Sequence, residues 1–358
     1  MIIVMPEKTI HVGVFTESGG AHLGAYFEAL AEIEECENVV LCDPSGESFN
    51  AARVALGEKL AAVFEDPAKL LMEARPELAV VSMEAVNAPP VIDQALEAGC
   101  HVFAEKPACI RVADFEAMVK KAEAKKLHFM IALANRITPS VQYARKLISD
   151  GVIGDLYGAE IHLVADQTRL KSESYHQSWF ADRARAGGGH LIWLGLHWLD
   201  LSMYLTGRQI SEVCGFTGNV GGQPIKVEDA AALALRYDNG ALGTMTSAYY
   251  LDKGYHSHLR LWGSGGWIEY AEWLGRDRTP KPLTWYSYAK RHETDGIASY
   301  DGPLEPRGYT PWLRACVRAA AGLAEAPITG TDGLRVMRTV FGAYEAAEKG
   351  KVVNVRYR

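Results

Sequence analysis

The sequence has no long hydrophobic run and no recognisable export signal. None of its uninterrupted apolar segments approaches the ~20 residues that a bilayer-spanning helix needs. Met1–Lys8 lacks the basic region followed by an apolar region that is typical of a secretory signal peptide. These absences argue against a helical membrane protein, and we expect a cytoplasmic location.

Cysteine is also scarce, and positive charge is not in excess. The six cysteines are scattered with no Cys-x-x-Cys pair, so their spacing indicates reduced thiols and neither a disulfide framework nor a zinc site. A net charge of −7 without a long lysine or arginine run argues against a nucleic-acid-binding protein. A hydrophobic content of 48% is ordinary for a globular protein, and a length of 358 residues predicts two domains.

The first third of the chain contains a regular alternation of strand and helix patterns. We expect strands at Thr9–Phe15, Val39–Cys42, Lys59–Phe64, Leu78–Ser82, His101–Ala104 and His128–Leu133. Helical spacing occupies the intervals between them. Alternation at this short period predicts a doubly wound parallel sheet, and therefore an α/β domain over residues 1–134.

The pattern changes in the second part of the chain. Long alternating segments dominate between Ala159 and Tyr270, and they predict a large, mostly antiparallel open sheet. Gly187–Leu205 interrupts them as one apolar helix, and further helices are expected at Tyr309–Ala321 and Asp332–Glu348. We therefore expect a second α/β domain over residues 135–358, with the helix at 332–348 packing back on the first domain.

The strand His101–Ala104 ends in an unusual way, at Glu105, Lys106 and Pro107. Proline cannot donate a backbone hydrogen bond, so the chain has to leave the sheet there. Lys106 is thereby placed at the carboxyl edge of a strand, which is where ligands bind in open α/β sheets. A lysine at that edge holds a cofactor, moves a proton or caps the strand, and the pattern by itself leaves the three roles open.

The segment after the first strand is a depleted version of a dinucleotide-binding turn. In such a turn small residues let the backbone approach a pyrophosphate at a helix N-terminus. The window Thr16–Ala21 keeps the small Ala21 but has Thr16 and Ser18 where glycine is usual. Glu17 is unfavourable near a phosphate unless its carboxylate points to solvent.

Asp43 ends the second predicted strand, 22 residues after Ala21. A carboxylate at this position accepts hydrogen bonds from the ribose hydroxyls and repels a 2′-phosphate, so NAD is favoured over NADP as the cofactor. The alternative is a purely structural Asp-Pro turn.

The chain resembles the Gfo/Idh/MocA oxidoreductases, which include glucose–fructose oxidoreductase and inositol dehydrogenase. The resemblance begins with the turn after the first strand, Asp43, the strand Leu78–Ser82, and Leu96–Pro107 with its Glu-Lys-Pro strand end. It continues through Asn135-Arg136, Gly187–Asp200 with its Gly-x-His-x-x-Asp pattern, and Pro327–Leu334. The resemblance implies a Rossmann domain, a nicotinamide cofactor, and a sugar, inositol or other polyol as substrate. It also implies a second domain whose open sheet forms a homodimer or homotetramer.

The resemblance assigns catalytic roles to Lys106, near nicotinamide and substrate, and to His197, as part of an acid/base pair. Trp193 departs from the family, which usually has an aspartate four residues before that histidine. The expected cofactor-binding residues are Thr16, Ser18, Gly19, Gly20, Ala21, His22, Asp43, Ser82, Asn87, Glu105 and Lys106.

One face of the predicted helix at 187–205 is polar and aromatic. Residues three and four apart share a helix face, and this face contains His190, Trp193, His197 and Asp200. The two histidines either serve the site or satisfy each other in the core. Asp200 either fixes the tautomer of His197 or is a structural acceptor. Trp193 cannot exchange protons, but an indole offers a flat surface to the C–H groups of a sugar ring.

Two further segments contribute aromatic and polar groups. Trp179, Tyr175 and His176 extend the pocket or are simply core. His256 and His258 share one face of a predicted strand, where we expect substrate or subunit contact; a metal site there needs a third ligand that the sequence does not identify. The expected substrate-binding residues are Trp193, His190, Arg136, Asp200, Tyr175 and His256.

We therefore expect an NAD(H)-dependent oxidoreductase that transfers hydride from a secondary alcohol of a sugar or polyol to nicotinamide. One alternative is an NAD-dependent glycosidase that oxidises its sugar transiently, eliminates the aglycone and reduces the product again, with no net redox change. The other is a non-catalytic sugar-sensing protein of the same fold.

Overall fold

The computed structural model describes residues 8–250, 254–274, 281–303 and 308–355. The chain divides into two compact units. The first comprises Met1–Ala134, Ala184–Gly187 and Arg307–Leu334, and the second comprises Asn135–Arg183, Gly188–Pro306 and Arg335–Arg358. These units differ from the predicted domains 1–134 and 135–358. The segment that returns to the first unit is mainly 307–334, whereas the sequence indicated 332–348.

The first unit is built on a parallel sheet, six-stranded in the described part of the chain. Its strands are β1 (Ile10–Thr16), β2 (Cys36–Cys42), β3 (Leu60–Phe64), β4 (Leu78–Ser82), β5 (His101–Ala104) and β6 (Phe129–Ile131). They are arranged in the order β3-β2-β1-β4-β5-β6. The order reverses between β1 and β4, and the carboxyl ends of the strands at this switch point are where doubly wound sheets bind ligands.

Helices follow the strands of this sheet. They are α1 (Leu23–Glu32), α2 (Phe49–Leu56), α3 (Pro67–Ala74), α4 (Ala88–Glu97) and α5 (Val112–Lys125). β4 is buried along its whole length, as expected for a strand of a parallel sheet covered on both faces. The start of α3 follows from its sequence, because Asp66 accepts a hydrogen bond from the Ala68 N–H at 2.9 Å and Pro67 occupies the first helical position.

The second unit is built on a larger sheet, nine-stranded within the described residues. Its strands are β7 (Leu156–Asp166), β8 (Ile210–Gly218), β9 (Ala230–Tyr237), β10 (Leu242–Tyr250), β11 (Tyr255–Gly263), β12 (Gly266–Leu274), β13 (Leu283–Ser287), β14 (Ile297–Ser299) and β15 (Val353–Asn354). The order is β14-β13-β12-β11-β7-β10-β9-β8-β15. β10 and β7 pair in parallel, and the other neighbours pair antiparallel. The predicted fold class is confirmed.

The two faces of this sheet differ. One face is apolar and buried, and includes Ile161, Leu259 and Leu261. The opposite face, called the outer face here, consists of partly or fully exposed side chains. Phe216 and Leu242 on this face are 81% and 58% exposed. The register places His162 directly opposite His258, so these half-exposed histidines also lie on the outer face.

The remaining helices are α6 (Pro139–Ser149), α7 (Glu173–Gln177), α8 (Arg183–Ala186), α9 (Leu196–Thr206), α10 (Tyr309–Ala320) and α11 (Gly330–Lys349). α10 belongs to the first unit and packs on α1. A π-helical turn at Leu191–Gly195 runs directly into α9, so the helix predicted over Gly187–Leu205 is present from residue 190 but is not regular throughout. None of the described helices is long and apolar enough to span a bilayer.

Candidate active site

The turn after β1 is tied to the end of β4 at the switch point. The Thr16 hydroxyl donates to the Ser82 carbonyl at 2.7 Å, and the Ser82 hydroxyl donates to the Ala21 carbonyl at 2.6 Å. A Cβ on Gly20 would lie 2.2 Å from Thr16 Oγ1 and 2.7 Å from the Ser82 carbonyl oxygen. This turn therefore requires glycine at position 20, because a side chain there would clash with Thr16 and Ser82.

Glu17 is held by the loop after β4 and does not point to solvent. Its carboxylate accepts hydrogen bonds from the Glu84 N–H at 2.7 Å and from Asn87 Nδ2 at 3.0 Å. Burial raises the pKa of Glu17, although these hydrogen bonds oppose the shift. Asn87 thus contacts Glu17, and its contact with a cofactor stays a prediction.

Ser18, Gly19 and His22 are exposed around the start of α1. The Ser18 hydroxyl donates to Glu47 Oε2 at 2.6 Å, and Gly19 has a φ of +79°. His22 precedes the helix, with Nδ1 2.9 Å from the Tyr309 hydroxyl. No acidic residue occupies the first turn of α1, so the positive end of the helix dipole suits an anionic pyrophosphate.

Asp43 is fully buried directly after β2. Its Oδ1 accepts from the Ser45 N–H at 2.9 Å and the Ser45 hydroxyl at 2.7 Å, and its Oδ2 accepts from the Ser48 N–H at 2.9 Å and the Ser48 hydroxyl at 2.6 Å. Burial acts to raise the pKa of Asp43, but these hydrogen bonds outweigh burial and lower it. The contacts match the structural-turn alternative, and a ribose contact by Asp43 stays a prediction.

Lys106 follows β5 and is only 4% exposed, with Nζ 3.9 Å from Glu105 Oε1. Glu105 is also buried, and its Oε2 accepts a hydrogen bond from the Tyr26 hydroxyl of α1. Burial, followed by the charge of Glu105, raises the pKa of Tyr26 well above its ordinary value, so the phenol keeps its proton. A buried ammonium and carboxylate are costly to desolvate, and a plain strand cap would not need them.

The first unit fits a dinucleotide. Within the described residues, Glu105 Oε1 is buried without a hydrogen-bond partner. Such an acceptor is costly unless a donor reaches it, and a hydroxyl or amide of a bound ligand is a suitable donor. Of the predicted cofactor-binding residues, Thr16, Gly20, Ser82, Glu105 and Lys106 lie at this edge of the sheet and could hold the cofactor, and their contact with NAD stays a prediction.

In the second unit, His190 is fully buried between the helix and the sheet. Its Nδ1 lies 2.7 Å from the Ser247 hydroxyl, and its ring meets the Tyr249 ring edge-on with centroids 4.4 Å apart. Both partners belong to β10. These contacts favour the core alternative for His190 over direct substrate contact.

Trp193 is half-buried in the π-helical turn and packs in an aromatic cluster. Its ring meets Trp179 edge-on at 5.4 Å and Phe180 at 4.6 Å between centroids. Trp179 is buried, whereas Phe180 and Trp193 are partly exposed. The rings of Phe180 and Trp193 are therefore the two members of this cluster that solvent or a ligand can reach.

Asp200 and Arg136 form a buried ion pair. Arg136 Nε donates to Asp200 Oδ2 at 2.9 Å, and Arg136 Nη2 donates to Asp200 Oδ1 at 2.5 Å. The guanidinium also lies 4.8 Å from the centre of the Tyr204 ring. This pair gives the structural-acceptor alternative for Asp200 a defined partner. His197, on the same helix, is 6% exposed, and its catalytic role stays a prediction.

Tyr175 of the second unit is half-buried. It belongs to a set of partly buried apolar residues packed against buried Ala165, Leu170 and Tyr249. The members of this set are Tyr175, Leu194, Ile225 and Tyr255.

His256 lies on the outer face of the sheet, beside His162 and His258. The His162 ring centroid is 5.0 Å from that of His256 and 5.1 Å from that of His258. Among the described residues, no group of three or more histidine, cysteine, aspartate or glutamate side chains is arranged to hold a metal ion. The position of His256 favours subunit contact over substrate contact.

Sequence reasoning missed Tyr26 and the pair Glu228 and Tyr344. Tyr26 gives no signal, because one tyrosine on an apolar helix face looks like core. Glu228 and Tyr344 contact the start of the π-helical turn, where the glycines Gly187–Gly189 indicated a close approach without naming the partner.

Comparison with known proteins identifies the family. The model of the oxidoreductase family with an NAD-binding Rossmann fold matches residues 11–133, and the GFO/IDH/MocA C-terminal domain matches residues 141–269. The chain belongs to the Gfo/Idh/MocA oxidoreductase family. The resemblance, the enzyme class of an NAD-dependent oxidoreductase, and the NAD-binding Rossmann domain are thus confirmed.

At least one relative is similar over most of the chain. D-apiose dehydrogenase of Paraburkholderia graminis is 22% identical over 346 residues, which cover 92% of this chain and 86% of that protein. Two solved structures share the fold. An oxidoreductase domain protein of Kribbella flavida has a TM-score of 0.85 at 23% identity, covering 98% of this chain and 100% of that one. Levoglucosan dehydrogenase in complex with NADH and L-sorbose has a TM-score of 0.84 at 20% identity, with the same coverage.

Proposed function

We propose that this protein is an NAD-dependent dehydrogenase that oxidises a secondary alcohol of a sugar, inositol or related polyol. The observation that carries the proposal is Lys106, a lysine buried at the carboxyl end of β5 beside the Glu105–Tyr26 hydrogen bond. The relatives named for D-apiose and levoglucosan support a sugar as the substrate. NAD is preferred over NADP in this proposal, because Asp43 keeps a negative charge after β2.

Oxidation of the alcohol breaks one C–H and one O–H bond and forms a carbonyl. NAD, when bound, accepts the hydrogen and its electron pair as hydride. The O–H proton needs a base on the protein, and Lys106 and His197 are the proposed proton carriers. Lys106 accepts the proton as its neutral amine and becomes the ammonium, whose charge is stabilised by the Glu105 carboxylate 3.9 Å away. Tyr26 in turn donates a hydrogen bond to Glu105.

We propose that the second unit binds the apolar faces of the sugar. Trp193 and Phe180 present partly exposed aromatic rings, and Tyr175 adds a third. Aromatic rings contact the C–H groups of a sugar while hydrogen bonds select its hydroxyls. In this proposal the Arg136–Asp200 ion pair stiffens the helix that contains His197, and His190 anchors the start of the π-helical turn to Ser247 and Tyr249 of β10.

We also propose that the protein forms a homodimer or homotetramer through the outer face of the second sheet, and that it is cytoplasmic. Phe216, Leu242 and Trp262 are all at least 37% exposed on this face. Large exposed apolar side chains on an open sheet are typical of a surface that is covered in the assembly.

The test of the function is NADH formation from a panel of polyols, free sugars and glycosides, supplied with NAD or NADP. Stoichiometric NADH supports the dehydrogenase. Release of aglycone without NADH accumulation would replace it with the redox-neutral glycosidase. No binding of either nucleotide by calorimetry would replace it with the sugar-sensing protein.

A further inference from the structure

The helix that contains His197 begins with an unusual arrangement of backbone donors. A helix leaves its first four N–H groups without partners inside the helix. Here the Trp193 N–H donates to the Gly189 carbonyl at 3.0 Å as the first bond of the helical ladder. The four groups that need outside partners are therefore the N–H groups of residues 189–192.

Glu228 accepts from three of these four groups. Its Oε2 accepts from the Gly189 N–H at 2.7 Å, and its Oε1 accepts from the Leu191 N–H at 3.0 Å. Its backbone carbonyl accepts from the His190 N–H at 3.1 Å. One residue thus supplies both a carboxylate and a carbonyl to the start of the helix, where a negative charge also stabilises the helix dipole.

Tyr344 completes the set. Its hydroxyl accepts from the Ile192 N–H at 3.2 Å and donates to Glu228 Oε1 at 2.8 Å. The hydroxyl serves both partners at once, because its proton goes to the carboxylate and one lone pair accepts the N–H. Burial, followed by the charge of Glu228, raises the pKa of Tyr344 well above its ordinary value, so this proton stays in place.

The glycines before the helix are explained by the same two residues. A Cβ on Gly188 would lie 2.1 Å from the Tyr344 hydroxyl oxygen, and a Cβ on Gly189 would lie 1.9 Å from the Glu228 carbonyl oxygen. Any larger residue would push Glu228 and Tyr344 away from the backbone. The chain therefore has glycine where these contacts are closest.

The other end of the π-helical turn is fixed by the sheet. A Cβ on Gly195 would lie 2.6 Å from Ser247 Oγ, and the same hydroxyl lies 2.7 Å from His190 Nδ1. Between the two fixed ends, Trp193 and Leu194 are half-buried, whereas the residues on either side of them are buried. Wide helical turns of this kind are frequent at functional sites.

We propose that Glu228 and Tyr344 are a positioning pair, which holds the π-helical turn so that Trp193 and His197 keep the orientation that the reaction needs. This inference rests on the proposed function, since it assigns a use to those two side chains. It has a second consequence. Because Glu228 already occupies the positive end of this helix, a substrate phosphate or carboxylate gains no binding there.

The pair is also sensitive to acid. Burial raises the pKa of Glu228, although the hydrogen bonds from Leu191, Gly189 and Tyr344 oppose the shift. A proton on the carboxyl removes an acceptor that faces these donors. Among the described residues, the Tyr344 hydroxyl donates to this carboxylate, and the Arg183 guanidinium lies 5.5 Å from the centre of the Tyr344 ring. His190 contacts Glu228 through its backbone N–H, whereas its imidazole faces Ser247.

The experiment compares Glu228→Gln and Tyr344→Phe with two control variants. Glu345→Gln changes a carboxylate on α11 that is paired with Lys349, and Tyr157→Phe changes a tyrosine that is 65% exposed. The readouts are amide hydrogen exchange of residues 188–196, the NAD dissociation constant, kcat and KM for the best substrate, and their pH dependence.

Both test variants should exchange the amides of residues 189–192 about tenfold faster or more, with the rest of the second unit unchanged. In both, kcat/KM for the sugar should fall about tenfold, while the NAD dissociation constant stays within about twofold. Glu228→Gln should also flatten the acid side of the pH profile. The controls should match the wild type in every readout.

Unchanged exchange at residues 189–192 in both folded variants would overturn the proposal, and so would a uniform rise in exchange across the second unit. An exchange effect without loss of kcat/KM would overturn the positioning role. A wild type that forms no NADH with any substrate would instead overturn the proposed function, and the exchange data would still decide whether the pair holds the turn.

Discussion

Asp43 has both carboxylate oxygens in hydrogen bonds with Ser45 and Ser48, and its side chain is fully buried. The Asp43 carboxylate therefore holds the loop after β2 in its conformation. Its negative charge disfavours a 2′-phosphate nearby even without direct contact, since Coulomb repulsion reaches several ångströms.

Asp43→Asn should destabilise the protein and weaken NAD binding. An amide nitrogen facing the Ser48 donors leaves them without an acceptor, at a cost of about 1–3 kcal/mol. Thermal unfolding and calorimetric titration with NAD measure the two effects. Asp93→Asn, on an exposed helix surface, is the matched control. A variant as stable as the wild type, with the same NAD affinity, would contradict this role of Asp43.

For single residues, the sequence predicted where a residue lies in the fold better than it predicted which side chains that residue contacts. Lys106 was placed correctly at a strand end, because proline and the parallel pattern fix that end from neighbouring residues alone. Tyr26, whose hydroxyl donates a hydrogen bond to Glu105, is 79 positions away from Glu105 along the chain, and no local sequence pattern indicates such a contact. The buried state of His190 was left open for the same reason.

At the scale of elements, α10 is tied to the region after α1 by a buried carboxylate. Glu35 is 1% exposed and accepts hydrogen bonds from Arg314, at 3.0 Å from Nε, and from Arg318. Burial acts to raise the pKa of Glu35, but the two guanidinium groups outweigh burial and lower it. The contact attaches a helix from near the end of the chain to the first unit.

Glu35→Gln should lower the free energy of unfolding by about 1–3 kcal/mol at neutral pH. Because the folded pKa of Glu35 is lowered, its contribution is present above the ordinary glutamate pKa of ~4.3 and is lost as pH falls through the folded value. The stability difference between wild type and variant should therefore shrink on acidification. Denaturant unfolding over a pH series measures it, with Glu28→Gln at an exposed position of α1 as the control, and a pH-independent difference would contradict the account.

The π-helical turn could not be predicted from the hydrophobic periodicity of the sequence. A helical pattern with period 3.6 reads Gly187–Leu205 as one helix. The turn at Leu191–Gly195 depends on Glu228, Tyr344 and Ser247, which come from other elements. The regular strands and helices of the first unit were predicted closely, because their burial pattern and their punctuating residues are local.

At the scale of the whole molecule, the outer face of the second sheet exposes large apolar side chains. Phe216 and Leu242 are exposed on it, and His162, His256 and His258 lie together near its centre. An isologous dimer would bring two such faces together and bury both sets.

Phe216→Glu combined with Leu242→Glu should therefore convert the oligomer into a monomer. Light scattering after size-exclusion chromatography measures the mass, and Val54→Glu, at a residue 79% exposed in the first unit, is the control. A monomeric wild type, or a double variant with the mass of a wild-type oligomer, would contradict the proposed assembly.

The central claim is that Lys106 carries a proton in an NAD-dependent oxidation, and the rate of NADH formation by Lys106→Ala tests it most directly. With the best substrate of the panel, kcat should fall by about 10²–10⁴-fold, the usual contribution of a general acid or base, while the fold is retained. Lys120→Ala, at a side chain 72% exposed, should keep the wild-type rate. A folded Lys106→Ala variant that forms NADH at a near-normal rate would contradict the account.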